Sequence, residues 1–442
     1  MRRHVLYICI VGLISLLIPV FAIAEIEYSG ACGNGVTWTL DDMGLLTISG
    51  SGYMTSSPWN DYSSQYSEVI IKNGVKNICK EAFYGSLVSK VTIPNSVKSI
   101  GENAFFRCKR IERVSIPQSV TDIYNCAFFA CSKLNSVTLN NGLENIYPQA
   151  FGECTALSNI SIPASVSFIG YCAFKNSGIK TISIPYGVEQ IDYGLFSGCS
   201  YLSSITIPNS VTSISGESFL DCTSLKKINI PNSVTTIGSW AFSGCTNLTN
   251  VDIPQSVQTI EVAAFYNCYN LKTVVIHGVV SIYDDTFRNC YELTSLTLPA
   301  CNAESIKILK DNGFSNVLNI SPHMNIITDK LTPPTETQTG LTEGKHCSVC
   351  KEVIVKQKPI PALKDMSVLY LPASLTTVER EAFSNSKCQA IIISKGCTAI
   401  KSHAFSGCKR LLYVYIPRSV TSIASDAFEN CNAEAVIFKD TK

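Results

Sequence analysis

The sequence has little charge and few histidines, and each shortage argues against a class of function. Only 16% of its 442 residues are charged and the formal net charge is +1, so no basic surface for nucleic acid is predicted. The five histidines are scattered, and no G-x-S-x-G, H-E-x-x-H or phosphate-binding glycine loop occurs. We therefore predict that the protein is not an enzyme. Because 46% of the residues are hydrophobic, a large core is expected rather than general disorder.

Long apolar runs are also missing, except at the N-terminus. Two arginines precede an almost wholly apolar stretch, 5–20, and an A-I-A motif that ends at Ala24 suits a signal peptidase site. We therefore predict a signal peptide over 1–24. A membrane anchor is the alternative, but the run is shorter than the ~20 residues that a bilayer span needs. The mature chain is thus predicted to be secreted, with possible retention at the cell surface and no membrane span.

The dominant feature of the sequence is a repeat of about 23 residues. Three consecutive rows read LSSITIPNSVTSISGESFLDCTS, LKKINIPNSVTTIGSWAFSGCTN and LTNVDIPQSVQTIEVAAFYNCYN, from Leu202 onwards. One phenylalanine marks each row: Phe83, Phe105, Phe128, Phe151, Phe174, Phe196, Phe219, Phe242, Phe265, Phe287, Phe383, Phe405 and Phe428. The period falls within the range of leucine-rich repeats. We predict a repeat solenoid of that type, mostly β with short helical or 3-10 turns.

Each part of a row predicts a local structure. The L-x-x-I-x-I stretch alternates and is rich in β-branched residues, which indicates a short strand with one buried face. Proline ends that strand because it cannot donate to a ladder, and S-V-x-x-I forms a second apolar edge. The A-F-x-x-C stretch is predicted as one turn of α or 3-10 helix. Since one row cannot bury its apolar side alone, stacked rows must share a core and form a parallel sheet.

Half of the twenty cysteines have one fixed place in the row, three residues after the phenylalanine. These are Cys108, Cys131, Cys154, Cys199, Cys222, Cys245, Cys268, Cys290, Cys408 and Cys431. Serine replaces cysteine at Ser86, Ser177 and Ser386. We predict a buried column in which each small, weakly polar group faces the backbone of a neighbouring row. A disulfide ladder and a metal array are the alternatives, and both are weakened by the serines.

The row motif I-P-x-S-V-x-x-I-G-x-x-A-F-x-x-C resembles that of the BspA-like leucine-rich-repeat surface proteins of bacteria. The resemblance covers roughly 66–297 and 366–442. Segment 31–54 resembles the leader module that often precedes such repeats, and its T-W-T-L and L-L-T-I-S stretches predict a β-hairpin. We expect this N-terminal module, 25–65, to cap the first row. The family implies adhesion to extracellular or host-surface proteins or glycoproteins, with no catalytic residue.

An irregular insert, 299–365, separates solenoid block 1 (66–298) from block 2 (366–442). Within it, Cys347 and Cys350 have the spacing of half a zinc ribbon. A complete site needs four ligands, and the nearby candidates stand at no recognisable spacing: His346, His323 and Cys301.

The cysteine-containing segment of the insert also resembles a small module of secreted bacterial multidomain proteins. The resemblance implies a further cysteine near Glu336 and a glycine at Lys351, and this chain has neither. Three interpretations stay open for the C-x-x-C pair: a disulfide or inert thiol pair, a zinc site with His346, and a redox role, for which the βαβ context is missing. No metal or other cofactor is predicted.

One residue of each strand, between its two core positions, is predicted to face outwards. In block 1 this outer column is small, polar and nearly uncharged: Thr92, Ser115, Thr138, Ser161, Ser183, Thr206, Asn229, Asp252, Val275 and Thr297. In block 2 the outer face becomes apolar and aromatic, which predicts a partner-binding patch. Its residues are Val368, Tyr370, Ile392, Leu412, Tyr413 and Tyr415. The alternative is that the insert or the chain end covers this patch.

The function predicted from the sequence is therefore non-catalytic protein–protein or cell adhesion through the exposed solenoid face. The alternative function is a structural spacer or envelope scaffold without a dedicated ligand. The sequence does not name the partner, because similar rows serve many partners.

Overall fold

The computed structural model describes residues 25–440, which fall into two compact units. Within these described residues, the first unit comprises 25–298 and Asn302–Ile320, and the second comprises Pro299–Cys301 and 321–440. The predicted signal peptide, 1–24, lies outside the described residues. Within 25–440, no helix has the length and apolar character needed to cross a membrane.

Three antiparallel strands open the first unit: β1 (Ile26–Gly33), β2 (Val36–Asp41) and β3 (Leu45–Gly50). The strands β2 and β3 form the hairpin that the sequence predicts, whereas β1 was not predicted. Strand β3 then pairs in parallel with Glu68–Ile71, the first strand of the solenoid. Behind this junction Trp59 is fully buried, and its indole N–H donates to the Ala82 carbonyl at 2.6 Å. The hairpin thus continues directly into the ladder of rows, and its capping role remains a prediction.

The rows of block 1 supply two series of parallel strands. The series that opens each row is Glu68–Ile71, Lys90–Thr92, Arg113–Ser115, Ser136–Thr138, Thr181–Ser183, Ser204–Thr206, Asn250–Ile253, Thr273–Ile276 and Ser295–Pro299. The shorter series is Asn77–Ile78, Ser99–Ile100, Asp122–Ile123, Asn145–Ile146, Phe168–Ile169, Gln190–Ile191, Ser213–Ile214, Thr236–Ile237, Thr259–Ile260 and Ser281–Ile282. Neighbouring strands pair one row apart, as Ser183 does with Thr206. The predicted solenoid is confirmed.

The A-F-x-x-C stretch is not the helical turn that the sequence predicts. In every described row except that of Phe428, it forms turns in which the residues two before and two after the phenylalanine have positive φ, such as Glu217 (55°) and Asp221 (57°). This alternation aims every second N–H at the next row, so that Glu217, Phe219 and Asp221 donate to carbonyls of that row at 2.8–2.9 Å. A helix would direct the same groups along its own axis. The turns therefore act as a third inter-row ladder.

The row phenylalanines form one continuous stack through the core of block 1. Phe219 lies between Phe196 and Phe242, with ring centroids 5.6 and 5.1 Å away and nearly parallel planes. Each ring is fully or almost fully buried. Burial of such rings is among the largest favourable contributions that single side chains make to a core.

The predicted cysteine column is confirmed. Each thiol donates to the carbonyl of the phenylalanine in the preceding row, as Cys222 does to Phe196 at 3.2 Å. None of the nineteen cysteines within the described residues forms a disulfide. A thiol suits this position because it fills a small apolar space and still satisfies a buried carbonyl.

A helix lies near the end of the first unit and is formed by residues that the sequence assigned to the insert. Helix α1 (Ala303–Asp311) follows Asn302, whose side chain accepts from the Val280 N–H at 2.7 Å. The Ser305 hydroxyl accepts from the Ile282 N–H and donates to the Val280 carbonyl. These two side chains replace the hydrogen bonds that a further row would supply, so they close the open edge of the last row.

The second unit contains the rest of the insert and the rows of block 2. Strand Leu318–Ser321 leads into it, and the insert forms Ile326–Asp329, Gly340–Leu341, Gly344–Cys347, Val353–Val355 and Pro359–Ile360. The 3-10 helix Leu363–Asp365 follows, as a counterpart to Pro58–Tyr62 in the first unit. Block 2 contains Val368–Tyr370, Thr377–Val378, Ala390–Ile392, Ala399–Ile400, Tyr413–Ile416, Ser422–Ile423 and Val436–Lys439. These last strands again pair in parallel, one row apart.

Replacing Phe219 by alanine should destabilise the first unit by about 3–5 kcal/mol, because it removes a stacked ring and leaves a cavity between two rows. Tyr186→Ala is the control, since that side chain is 75% exposed; its effect should stay within about 0.5 kcal/mol. Urea denaturation followed by circular dichroism measures both. Equal midpoints for the two variants would contradict the role of the stack.

The column thiols should resist alkylation in the native protein. Burial raises the pKa of Cys108 to about 12, so at about pH 8 only about 10⁻⁴ of it is thiolate, the reactive form. Iodoacetamide labelling with peptide-resolved mass spectrometry should therefore modify half-buried Cys126 well before Cys108. In urea, Cys126 and Cys108 should be labelled at the same rate. Equal rates in the native chain would show that the reagent reaches the cysteine column.

Candidate functional site

The outer column of block 1 lies on the surface as predicted. Its members from Thr92 to Asp252 are exposed, and Val275 and Thr297 are half-buried. The core residues on either side of Thr206, which are Ile205 and Ile207, are at most 8% exposed. The alternation of the strand therefore presents one hydroxyl or amide group per row, in register from row to row.

Shallow concavities accompany this column. One of about 740 Å³ is lined by Thr92, Ser115, Gln118 and Asn140, among others. A second, of about 450 Å³, is lined by Ser161, Ser183, Thr206 and Pro185, among others. Both lie where the strand meets the loop that follows the row proline. The lining is rich in hydroxyl and amide groups that can both donate and accept hydrogen bonds.

Exposed aromatic ladders are a surface feature that the sequence reasoning missed. Tyr84 stacks on Phe106 at 4.8 Å, and Phe106 stacks on Phe129 at 5.2 Å. Tyr124 and Tyr147 form a similar pair at 4.9 Å. The signal was available, because an aromatic residue directly follows the row phenylalanine in three successive rows.

The patch predicted on block 2 is largely covered. Tyr413 is only 1% exposed and packs in a cluster with Ile360, which belongs to the insert, and Met366, the first residue of block 2. Val368, Ile392, Leu412 and Tyr415 lie half-buried around this cluster. Tyr413 is therefore not available to a partner, and the alternative that the insert covers the face is the better description.

Only Tyr370 of the predicted patch remains well exposed, at 56%. Its hydroxyl donates to the Glu336 carboxylate of the insert at 3.2 Å. At the other edge, the Tyr415 ring stacks on Phe438 near the chain end. Partner binding by Tyr370 stays a prediction.

The insert brings together four side chains with metal-binding chemistry. Cys301, His323, Cys347 and Cys350 each place one sulfur or nitrogen atom within 4.8 Å of the other three. Cys347 and Cys350 are the pair that the sequence singled out. Cys301 follows the last strand of block 1, and His323 precedes strand Ile326–Asp329.

His346, the third residue of the predicted zinc alternative, lies outside this cluster. Its Nδ1 is 2.7 Å from an Asp329 carboxylate oxygen on the paired strand. The physical reason is strand geometry: His346 and Cys347 are adjacent in Gly344–Cys347, so their side chains point to opposite faces. His323 occupies the place that the sequence suggested for His346.

The two buried thiols of the cluster differ in acidity. Burial raises the pKa of Cys301 to about 11. Burial acts on Cys347 in the same direction, but hydrogen bonds from the backbone of Cys350 and Val349 and from the other two thiols outweigh it. The pKa of Cys347 is thereby lowered to about 6. The turn around Cys347 thus stabilises a thiolate.

The row period, the parallel ladders and the exposed outer column define a leucine-rich-repeat solenoid. The family described as the BspA type leucine-rich repeat region matches in six copies, over 76–203, 189–321 and 362–442. The chain belongs to this family, so the predicted resemblance is confirmed. Membership indicates a protein-interaction role at the surface or outside the cell, and such repeat proteins are generally non-catalytic. A comparison with proteins of curated function finds no match.

Several solved structures are similar to this chain. A leucine-rich repeat protein from Bacteroides ovatus is 21% identical, with a TM-score of 0.43 and coverage of 92% of this chain and 99% of that one. A leucine-rich cell surface protein from Faecalibacterium prausnitzii is 22% identical, with a TM-score of 0.39 and coverage of 95% and 96%. The pneumococcal vaccine antigen PcpA is 16% identical, with a TM-score of 0.37 and coverage of 67% and 99%.

Substitution of Tyr413 by serine should destabilise the second unit by about 3–5 kcal/mol, because it empties a buried aromatic position. Tyr370→Ser should cost less than about 1 kcal/mol, since that side chain is exposed and makes a single hydrogen bond at the surface. Thermal unfolding of the full chain separates the two. If Tyr413→Ser were as mild as Tyr370→Ser, the patch would be open rather than covered.

Proposed function

We propose that the protein is a secreted or cell-surface adhesin that binds extracellular or host-surface proteins or glycoproteins through the outer face of block 1. The binding is non-catalytic. The observation that carries the proposal is the outer column itself, which presents exposed hydroxyl, amide and carboxylate groups in register over eight rows, from Thr92 to Asp252.

A surface of this kind suits a partner that is itself rich in hydrogen-bonding groups. Ser, Thr and Asn side chains both donate and accept, so they fit peptide groups and sugar hydroxyls alike. The concavities along the column add depth, and their lining includes the loop residues Gln118 and Asn140. Each contact contributes only about 0.5–1.5 kcal/mol net, so useful affinity requires many rows to engage together. The proposal therefore predicts a long contact rather than one deep pocket.

The proposal is tested by placing charges on the outer face of the full chain. Ser161→Lys with Thr206→Lys puts two lysines two rows apart beside the second concavity. We expect the affinity for a captured partner to fall about tenfold or more, because bound lysines would be desolvated without a partner for their charge. Biolayer interferometry against purified extracellular matrix proteins and mucins provides the measurement.

The matched control is Thr155→Lys with Ser200→Lys, which adds the same charges at the same row spacing on the exposed turns after the cysteine column. Both double variants should keep the thermal unfolding temperature of the parent chain. Two results would count against the proposal: no binding by the parent chain to any protein of the panel, as expected of a structural spacer, or equal loss of affinity in both double variants.

A further inference from the structure

The cluster of Cys301, His323, Cys347 and Cys350 has a composition that partner binding does not explain. Three sulfur atoms and one imidazole nitrogen converge in the second unit, and Cys301 and Cys347 are buried. The column cysteines, by contrast, stand one per row and belong to no such convergent group within the described residues; facing a carbonyl does not set them apart, since the Cys347 thiol donates to that of Met324 at 2.9 Å. A convergent Cys₃His set is one of the standard ligand sets of structural zinc.

The distances within the cluster are close to those of a tetrahedral zinc site. Zn–S bonds of about 2.3 Å and Zn–N bonds of about 2.0–2.1 Å imply S···S edges of about 3.8 Å and S···N edges of about 3.6 Å. The Sγ atoms of Cys301 and Cys347 lie 3.4 Å apart. The Nδ1 atom of His323 lies 3.5 Å from the Sγ atoms of both Cys301 and Cys350. Four atoms at these separations enclose a space of the size of one ion.

The surroundings of His323 point to the same use. Its Nδ1 faces the sulfurs, while its Nε2 is 3.4 Å from a carboxylate oxygen of Glu352. Histidines that bind a metal through one ring nitrogen usually donate from the other to a carboxylate or carbonyl, which fixes the ring orientation and the tautomer. Glu352 is thus placed as the residue that positions His323.

The backbone of Met324 contacts two of the sulfurs. Its N–H points at the Cys301 sulfur at 3.5 Å, and its carbonyl accepts from the Cys347 thiol at 2.9 Å. After Cys350, the chain turns back through Lys351, whose φ is 64°, so that the Cys347 N–H reaches the Glu352 carbonyl at 2.9 Å. The resemblance to the small secreted module implies a glycine at Lys351, and a positive φ is a conformation that glycine adopts readily. The turn is therefore kept although the glycine is absent.

We propose that Cys301, His323, Cys347 and Cys350 bind one zinc ion in a closed, four-coordinate structural site. Cys301 takes the place of the cysteine that the resemblance to the small secreted module implies near Glu336. The three cysteines bind as thiolates and release their protons when the ion enters. The ion ties the chain directly after the last strand of block 1 to strand Gly344–Cys347, across 46 positions. It thereby stabilises an insert whose own strands are short.

A disulfide is the competing description of the same cysteines. A bond between any two of them would not explain why the third sulfur and the His323 nitrogen also lie at the same point. The two descriptions make opposite predictions about thiols and metal, so one preparation of the full chain decides between them.

The first experiment measures metal in the full-length protein. The chain, purified without chelator or metal-affinity resin, is incubated with zinc sulfate, dialysed, and analysed by inductively coupled plasma mass spectrometry. We expect about one zinc ion per chain. A chain that retains no zinc after dialysis, or a disulfide joining two of Cys301, Cys347 and Cys350 in protein purified without reductant, would overturn the proposal.

Matched variants locate the ion. His323→Ala and Cys301→Ser should abolish zinc retention, whereas His346→Ala and Cys126→Ser should keep it. His346 is the sharp control, because it lies next to Cys347 in sequence yet pairs with Asp329. Zinc retained by His323→Ala, or lost from His346→Ala, would overturn the ligand assignment.

A spectroscopic readout covers variants that lose their fold together with the metal. Cobalt(II) added to the unaltered chain should give the intense visible bands of tetrahedral coordination and a thiolate-to-metal charge-transfer band in the near ultraviolet. Zinc should then displace the cobalt and remove both features. A weak octahedral spectrum without the charge-transfer band would overturn the proposal whatever the variants do.

Discussion

Every row of this protein depends on the next, because one row of about 23 residues cannot bury its own apolar side. The row phenylalanine needs a ring above and below it, and its thiol partner needs the carbonyl of the row before. The three ladders of backbone hydrogen bonds also run between rows. The core is thus a linear series of equal interfaces, as Phe219 illustrates between Phe196 and Phe242. Interface stability, rather than the stability of single rows, determines whether the fold forms.

At its two ends, such a series leaves backbone hydrogen-bonding groups and apolar faces without a neighbouring row. In the first unit, side chains and irregular segments cover these groups and faces. Asn302 and Ser305 supply hydrogen bonds to the last short strand, and Phe314 meets Phe287 edge-on at 6.3 Å, so the stack ends there. At the other end, Trp59 lies against Phe83 and reaches the Ala82 carbonyl.

The row period predicted which residues are buried and where the strands lie, but it did not predict the backbone of the turns or the cover over block 2. Row length, strand positions, the buried phenylalanines and the cysteine column all follow from a spacing that thirteen phenylalanines mark. The turns were assigned wrongly because A-F-x-x-C looks helical, whereas residues such as Glu217 adopt positive φ to reach the next row. Tyr413 stands at an outward position of its row, but Ile360 of the insert packs in one cluster with it and Met366, and Tyr413 is buried. No pattern within a row contains that information.

The cluster in the insert shows why cysteine cannot be interpreted by count alone. A column thiol such as Cys222 has one carbonyl acceptor, no other ligand atom at hand and a pKa well above its ordinary value because it is buried. Little thiolate forms there, so the group is poorly suited to oxidation or to metal binding. Cys347 is equally buried, yet it faces Cys301, and backbone N–H groups around it lower its pKa. Burial excludes water in both places, and the local donors and neighbours decide which chemistry remains. The sequence offered Cys301 and His323 as candidate ligands but could not place them in one site, because their spacing of 22 residues looks like one more row until the fold shows where they meet.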